Sequence, residues 1–305
     1  MTAQSQLKQL LFETKWSQDD LAYRLGVSPK TLSFWITGKS QPRDKYLEKI
    51  QGLYFDIVGR TEVDRQYLAN LKLKALTTHL DLRELLNNED LLKTTTLYLT
   101  YHTNTIEGST MTLDDVATVL DDENAVIANK SYREQAEARN HRAAFLFLLE
   151  QLRTEGKNFT WSRDLILETH QRLMNSLLDD AGKFRKYGVR ILGSSVARAN
   201  YLSVPKKIDD LIAYMNTPAD DIVEKLAQTH AIFELIHPFG DGNGRTGRLI
   251  MFTQAMQYGI VPPLVLKERK RAYYKYLEHA DKTTDYDLLS MFIAESILST
   301  DRLLK

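Results

Sequence analysis

Apolar residues recur at spacings of three and four along most of the chain, the periodicity of helices that bury one face. The stretches LLEQL (148–152) and LILETHQRLM (165–174) each carry such a stripe. Only residues 183–205 alternate apolar and polar positions like strands. Within them, VRIL (189–192) and YLSV (201–204), separated by a Gly/Ser/Ala/Asn-rich stretch, predict a long β-hairpin. The predicted class is mainly α: a small helical bundle at the N-terminus, then a larger all-helical region carrying one hairpin.

The first fifty-odd residues contain their own start and stop signals. Ser17 with Asp20 predicts an N-cap, and QDDLAYRLG follows as a short helix closed by Gly26. Ser28 and Pro29 open a second helix, PKTLSFWITG, which ends at Gly38. Two short helices joined by the tight turn GVS predict a helix-turn-helix. The unit resembles the repressor/Cro-like helix-turn-helix family at Ser17, Gln18, Leu21, Ala22, Leu25, Gly26, Val27, Ser28, Thr31, Leu32, Ser33, Trp35, Gly38 and Pro42. The resemblance implies a core of Leu21, Ala22, Leu25, Val27, Leu32 and Trp35. It also implies DNA as a partner of residues 17–38, with Lys30, Thr31, Ser33 and Phe34 facing a major groove and Gln18 a phosphate. The weak charge lean of residues 1–56, eight Lys and Arg against six Asp and Glu, fits a protein-binding role as well. The predicted boundaries are a helix-turn-helix domain at 1–56, a linker at 57–66 and a second domain at 67–305.

Composition narrows the setting. The 305 residues are 43% hydrophobic and include forty basic and forty acidic side chains, so a sizeable core is available and no global field selects a polyanion. There is no cysteine, which excludes disulfides and thiol chemistry and fits a reducing cytoplasm. No apolar run long enough for a membrane span and no leader-like start is present, so a cytoplasmic chain without a membrane partner is expected.

The chemistry concentrates in IHPFGDGNGRTGRLIMF, residues 236–252. Gly242-Asn243-Gly244 lets successive backbone N–H groups converge into an anion-binding nest, and the following helix adds its positive end. Arg245 and Arg248, three apart, can both reach a polyphosphate. Asp241 is a hard oxygen ligand suited to Mg²⁺, and His237 can accept a proton at neutral pH. These residues predict a magnesium-nucleotide site beside a histidine base.

The stretch resembles the Fic family, whose signature H-x-F-x-[DE]-G-N-G-R-x-x-R stands here as His237, Phe239, Asp241, Gly242, Asn243, Gly244, Arg245 and Arg248 without departure. LETHQRLM (167–174), GKFRKYGVRI (182–191) and HAIFELIHPF (230–239) are similar to further family segments, so the resemblance covers about 160–255, followed by C-terminal helices at 256–305. It implies an all-helical domain with one β-hairpin flap and an adenylyltransferase that moves AMP from Mg-ATP to a Ser, Thr or Tyr hydroxyl of a target protein. His237 would be the base and Asp241 the Mg²⁺ ligand, while Gly240, Gly242, Asn243, Gly244, Arg245 and Arg248 would hold the phosphates. The hairpin at about 189–204 would hold the target as an added strand. One branch of the family has A-N-K at the nest and transfers phosphate instead, and the glycines here favour nucleotidyl transfer.

Many Fic proteins carry an inhibitory helix with the pattern [ST]-x-x-x-E-[GN]. TNTIEG supplies Thr103, Glu107 and Gly108, and of three Glu-Gly or Glu-Asn pairs (at 107, 123 and 155) only this one has Ser or Thr four residues earlier. The resemblance implies an inhibitory helix near 98–108 in which Glu107 pairs with Arg248. In some relatives the same glutamate removes AMP from modified protein, so brake and hydrolytic residue both stay open. A DNA-binding regulator that merely senses nucleotide is the alternative to an enzyme, and association of copies is compatible with either. His230 and His237 lie two helical turns apart but lack a third metal ligand, so both His230 and His170 are expected to be structural. Tyr273, Tyr274 and Tyr276 are expected to be core and rim aromatics.

Overall fold

A computed structural model describes residues 1–122, 124–190 and 196–305. They form two compact units, one of residues 1–62 with 268–276, the other of 63–267 with 277–305.

The first unit contains α1 (Ala3–Thr14), α2 (Gln18–Leu25), α3 (Pro29–Thr37) and α4 (Asp44–Val58). Local chemistry explains the ends of α2 and α3. Ser17 and Asp20 form a reciprocal capping box, and Gly26 closes α2 in the left-handed conformation. Ser28 caps α3 with Pro29 in its first turn, and Gly38, at φ 78°, ends it. Leu21, Ala22, Leu25, Leu32 and Trp35 are buried and Val27 packs beside them, together with Leu7, Leu10 and Ile50.

The second unit contains α5 (Arg65–Leu76), α6 (Leu82–Asn87), α7 (Glu89–Ile106), α8 (Leu113–Asp121), α9 (Tyr132–Glu155), α10 (Arg163–Leu173), α11 (Val204–Met215), α12 (Ile222–Ile236), α13 (Asn243–Gln257) and α15 (Asp287–Leu304); α14 (Lys270–Thr283) contributes residues 277–283. The central helix is α13, which packs on α12, α10, α9 and α7. Residues 245–256 of α13 are all buried, so the helix has no solvent face. Arg245, Arg248 and Gln254 are buried with it. Charged groups are held in an interior only with partners, which makes α13 the place to look for a site.

The expected hairpin is corrected for its second arm. Tyr201–Ser203 is a 3-10 turn and Val204 opens α11, with Pro205 in its first turn. The alternation in YLSV is overridden by Pro205, pre-set for a helix start, and by Val204, Ile208, Leu211 and Met215, which form a buried stripe. Val189 and Arg190 have no regular structure, and 191–195 of the first arm lie outside the described residues. Among the described residues none is in a strand. Tyr273 and Tyr276 are buried and Tyr274 is 41% exposed, as core and rim aromatics. No described helix is long and apolar enough to cross a membrane.

Candidate active site around the turn between two helices

The turn between α12 and α13 is built from the end of one helix and the start of the next. His237 caps α12 in the left-handed region, φ 51° and ψ 63°, which is uncommon for a residue with a side chain. The last carbonyls of a helix need donors, and Arg185, 2% exposed, supplies them. Its Nε donates to the His237 carbonyl at 2.7 Å and its Nη2 to that of Ile236 at 3.3 Å. The same guanidinium reaches the carbonyls of Tyr187 and Ala199, holding both described ends of the 188–198 segment against the turn.

Phe239 anchors the loop from beneath. It is fully buried and stacks on His170 with ring centroids 3.6 Å apart. His170 accepts from the Gly182 N–H at Nδ1 (2.9 Å), so its Nε2 carries the proton and donates to the Asp241 carbonyl at 3.0 Å. The structural role expected for His170 is thereby specific: it positions the backbone of Asp241. Asn243 is also used inside the loop, its amide exchanging two 2.9 Å hydrogen bonds with the Phe239 backbone. The amide is therefore engaged in holding the loop, and the backbone N–H of Asn243 is the further donor at this position.

Glycine is required at two points. Gly242 has φ +78°, and a Cβ there would lie 2.7 Å from Met174 Sδ. A Cβ on Gly244 would fall 2.4 Å from Glu107 Oε1. Gly240 is bare backbone beneath the Tyr187 hydroxyl.

The charged groups fall into two sets. Asp241, with a side chain 46% exposed, accepts from Arg133 at 2.7 Å and from Arg245 at 3.4 Å. Glu137 pairs with Arg245 at 2.9 Å and Arg133 at 3.0 Å, completing a ring of four charges. Burial works against the charged form of Asp241, but Arg245, the Gly242 N–H and Arg133 together hold its carboxyl below the usual range. The second set centres on Arg248, which is fully buried. Its Nε donates to Thr103 Oγ1 at 2.7 Å and its Nη2 to Glu107 Oε1 at 2.5 Å. Thr103 lies in the last turn of α7, Glu107 caps that helix, and Gly108 follows at φ +108°. The Glu107 carboxylate thus lies at the amino end of α13 and on an arginine, where an anion is favoured.

His237 is pushed down to about 4, first by burial and then by Arg198, while the Glu234 carbonyl opposes. It is neutral near pH 7 and free to accept a proton. His102 and His170 are lowered to about 4, and His141 and His230 to about 3, all chiefly by burial. The unfolded chain binds protons to these histidines below about pH 6.5 while the folded chain does not, so their stabilisation is complete above that pH and lost as it falls toward 4. Glu234, raised to about 7 by burial, works the other way between about pH 4.5 and 7, but it is one group against five. The melting temperature is expected to drop between pH 7.5 and 5 by calorimetry; a flat profile would contradict neutral burial of the histidines.

Among the described residues no three His, Asp or Glu side chains gather as a metal-binding group, so Asp241 stands as a single carboxylate. In the other unit Gln18 and Lys30 are exposed, Thr31 and Ser33 half-buried, and Phe34 is 37% exposed between Lys30 and Lys39. Sequence reasoning missed Glu137, Arg133 and Glu234 altogether. Arg133 and Glu137 stand four apart on α9, a visible pair, but nothing local ties them to a turn a hundred residues away.

Residues 160–255 match the Fic/DOC family and residues 7–54 the helix-turn-helix family. The chain carries a Fic/DOC-family domain together with a helix-turn-helix domain. It is 33% identical over 195 residues to a protein adenylyltransferase fic-1 of Caenorhabditis briggsae, covering 63% of this chain and 38% of that protein. A protein adenylyltransferase Fic of Aedes aegypti is 32% identical over 186 residues, 60% of this chain and 36% of the mosquito protein. The chain thus spans well under half the length of these curated relatives. The solved structure of Fic-1 (residues 134–508) from C. elegans superposes with a TM-score of 0.64 at 23% identity, covering 93% of this chain and 84% of that one. A Fic family protein from Desulfovibrio desulfuricans G20 gives 0.64 at 24% identity over 79% of this chain and 74% of its own. These likenesses show a shared fold.

Proposed function

We propose that the chain is a protein adenylyltransferase held in check by Glu107. The observation that carries this reading is an anion nest at the start of a buried helix, with a neutral histidine at one edge and a carboxylate already in place. The names of its relatives support it.

ATP would lay its phosphates along the backbone of Gly240, Gly242, Asn243 and Gly244, the Gly242 N–H first leaving the Asp241 carboxylate to which it donates at 2.6 Å. Arg248 would meet the terminal phosphate once Glu107 has withdrawn. Arg245 faces Glu137 and Asp241, so it is better suited to orienting the carboxylate than to reaching far along the nucleotide. Asp241, half-exposed and ionised, fits Mg²⁺, which commonly takes one or two carboxylates and fills its shell with water and phosphate oxygens. Bound there, the ion supplies neutralisation of phosphate charge. His237 would take the proton of a Ser, Thr or Tyr hydroxyl in a target held near 189–204, as that oxygen attacks the α-phosphorus and pyrophosphate departs.

Open glycines, which would leave the nest to the α- and β-phosphates, support nucleotidyl over phosphoryl transfer. Incubation with a cell lysate, Mg²⁺ and ATP labelled at either α or γ tests it. Protein label is expected from the α position alone; label from γ would mean phosphoryl transfer and sink the reading.

A further inference from the structure

Behind the imidazole of His237 stands a buried carboxyl to which the reaction, as described above, assigns nothing. Glu234 lies one turn earlier on α12, and its Oε2 is 3.9 Å from His237 Nδ1. Glu234 Oε1 and His237 Nδ1 are both shut away from water without a well-formed hydrogen bond, although the Glu234 carbonyl lies near enough to favour a proton on the ring. Unsatisfied buried polar atoms are costly, so two meeting at one place call for a reason. The packing of α13 leaves the room for this carboxyl. A Cβ on Gly247 would fall 2.8 Å from Glu234 Oε1 and 3.0 Å from Phe233. Gly247 is a position that the H-x-F-x-[DE]-G-N-G-R-x-x-R pattern does not specify, so the phosphate loop itself does not demand a glycine there.

We propose that Glu234 is the positioning residue for His237: its carboxylate holds the Nδ1 proton, turns Nε2 toward the incoming hydroxyl and stabilises the imidazolium that forms. The inference rests on the adenylyl-transfer reading. In the step, the target O–H bond breaks and its proton goes to Nε2, while the oxygen bonds to the α-phosphorus and the bond to pyrophosphate breaks. The Nδ1 proton stays on the ring and Glu234 stays a carboxylate throughout. At 3.9 Å the contact is longer than a hydrogen bond, and such contacts commonly tighten only when substrate is bound.

The charges around the pair explain why it needs a carboxylate. Arg198, held by Asp281 in a buried 2.6 Å ion pair, and Arg185 both disfavour a proton on His237. Burial, with Glu107 and Asp281, raises the Glu234 carboxyl to about 7 against Arg248 and Arg198, which favour its ionised form. Withdrawing Glu107 removes one of the causes that keep Glu234 protonated. Glu107 also favours a proton on His237, so its release helps Glu234 to ionise while making the ring itself a weaker base.

The test uses the full chain with Glu107→Gly, alone and with Glu234→Gln, which keeps the shape and removes the charge. Transfer of α-label is followed across pH, and the His237 ring is titrated by NMR, assigned by its absence in His237→Ala. Glu234→Gln is expected to lower kcat about ten- to a hundredfold with KM for ATP unchanged. The acid limb of the pH profile, set near 7 by Glu234, should move to lower pH, and the His237 titration should lose the step near 7 that the ring signal shows as Glu234 ionises beside it. Unchanged kcat with an unmoved titration, in a parent that transfers label, would overturn the inference and leave the transfer reading standing. A parent that transfers no label would defeat the transfer reading, and the titration alone would then decide whether Glu234 acts on His237. If Glu234→Gln melts early, Glu234→Asp restores the charge at shorter reach. A return of the titration toward the parent is expected, and no return would reduce Glu234 to packing.

Discussion

Replacing Glu107 by glycine is expected to raise α-label transfer about ten- to a hundredfold, the range of a coupling of about 1–3 kcal/mol. The reason lies in what Glu107 touches. Its carboxylate sits on the fully buried Arg248 and against Gly244 at the amino end of α13, so it holds the two attractions a terminal phosphate would use. A phosphate and this carboxylate cannot occupy the place together. On the proposed reading the wild-type chain would break the Arg248 contact before ATP binds in full, and that cost would be subtracted from the binding of the nucleotide. A second consequence follows for stability. Glu107→Gly takes a carboxylate partner from the fully buried Arg248, whose bond to Thr103 remains, so the variant should melt below wild type without nucleotide. ATP then supplies the missing anion, and the rise in melting temperature on adding it should be larger for the variant than for wild type. Equal rises, with equal label transfer, would show that Glu107 is not a brake.

Removing His237 in that activated background is expected to lower label transfer about a hundred- to ten-thousandfold while ATP still raises the melting temperature. The two readouts separate because the imidazole does not build the nest. The nest is backbone, and its loop is held by Asn243 on Phe239, by His170 on the Asp241 carbonyl and by Arg185 on the His237 carbonyl, which survives any side-chain change at 237. His237→Ala does exchange one left-handed residue for another, so the turn keeps its cost without gaining a new one. Transfer that persists at the parent's level would assign the base elsewhere.

Much of the site is legible in order along the chain because phosphate recognition by a loop and the following helix is local. Glycines that open backbone N–H groups, an arginine one turn into the helix and a histidine before it lie within a dozen residues, so spacing alone suggests their use. Glu107 is legible in another way, through a short pattern, although its partner is 141 residues distant. Glu137, Arg133 and Glu234 carry no such mark. A glutamate on a helix reads as solvated unless something shows which face is buried, and Glu234 lies within a stretch whose apolar neighbours pack on α13.

The sequence by itself determined the helix ends, because Ser17, Gly26, Ser28, Pro29 and Gly38 act on backbone groups within a few residues, and those caps form as read. It likewise marked the glycine turn at the start of α13, where the phosphate nest is proposed. Only the tertiary structure decided how YLSV folds, since a four-residue alternation is weaker than the burial of Val204, Ile208 and Leu211 on a helix that Pro205 starts. Only the tertiary structure decided which charges meet: Arg248 with Glu107, Arg245 with Glu137, and Glu234 with His237. The physical reason is the same in each case. Capping energies are settled by neighbours in sequence, whereas a buried charge is settled by whichever opposite group the packing of distant helices brings within reach.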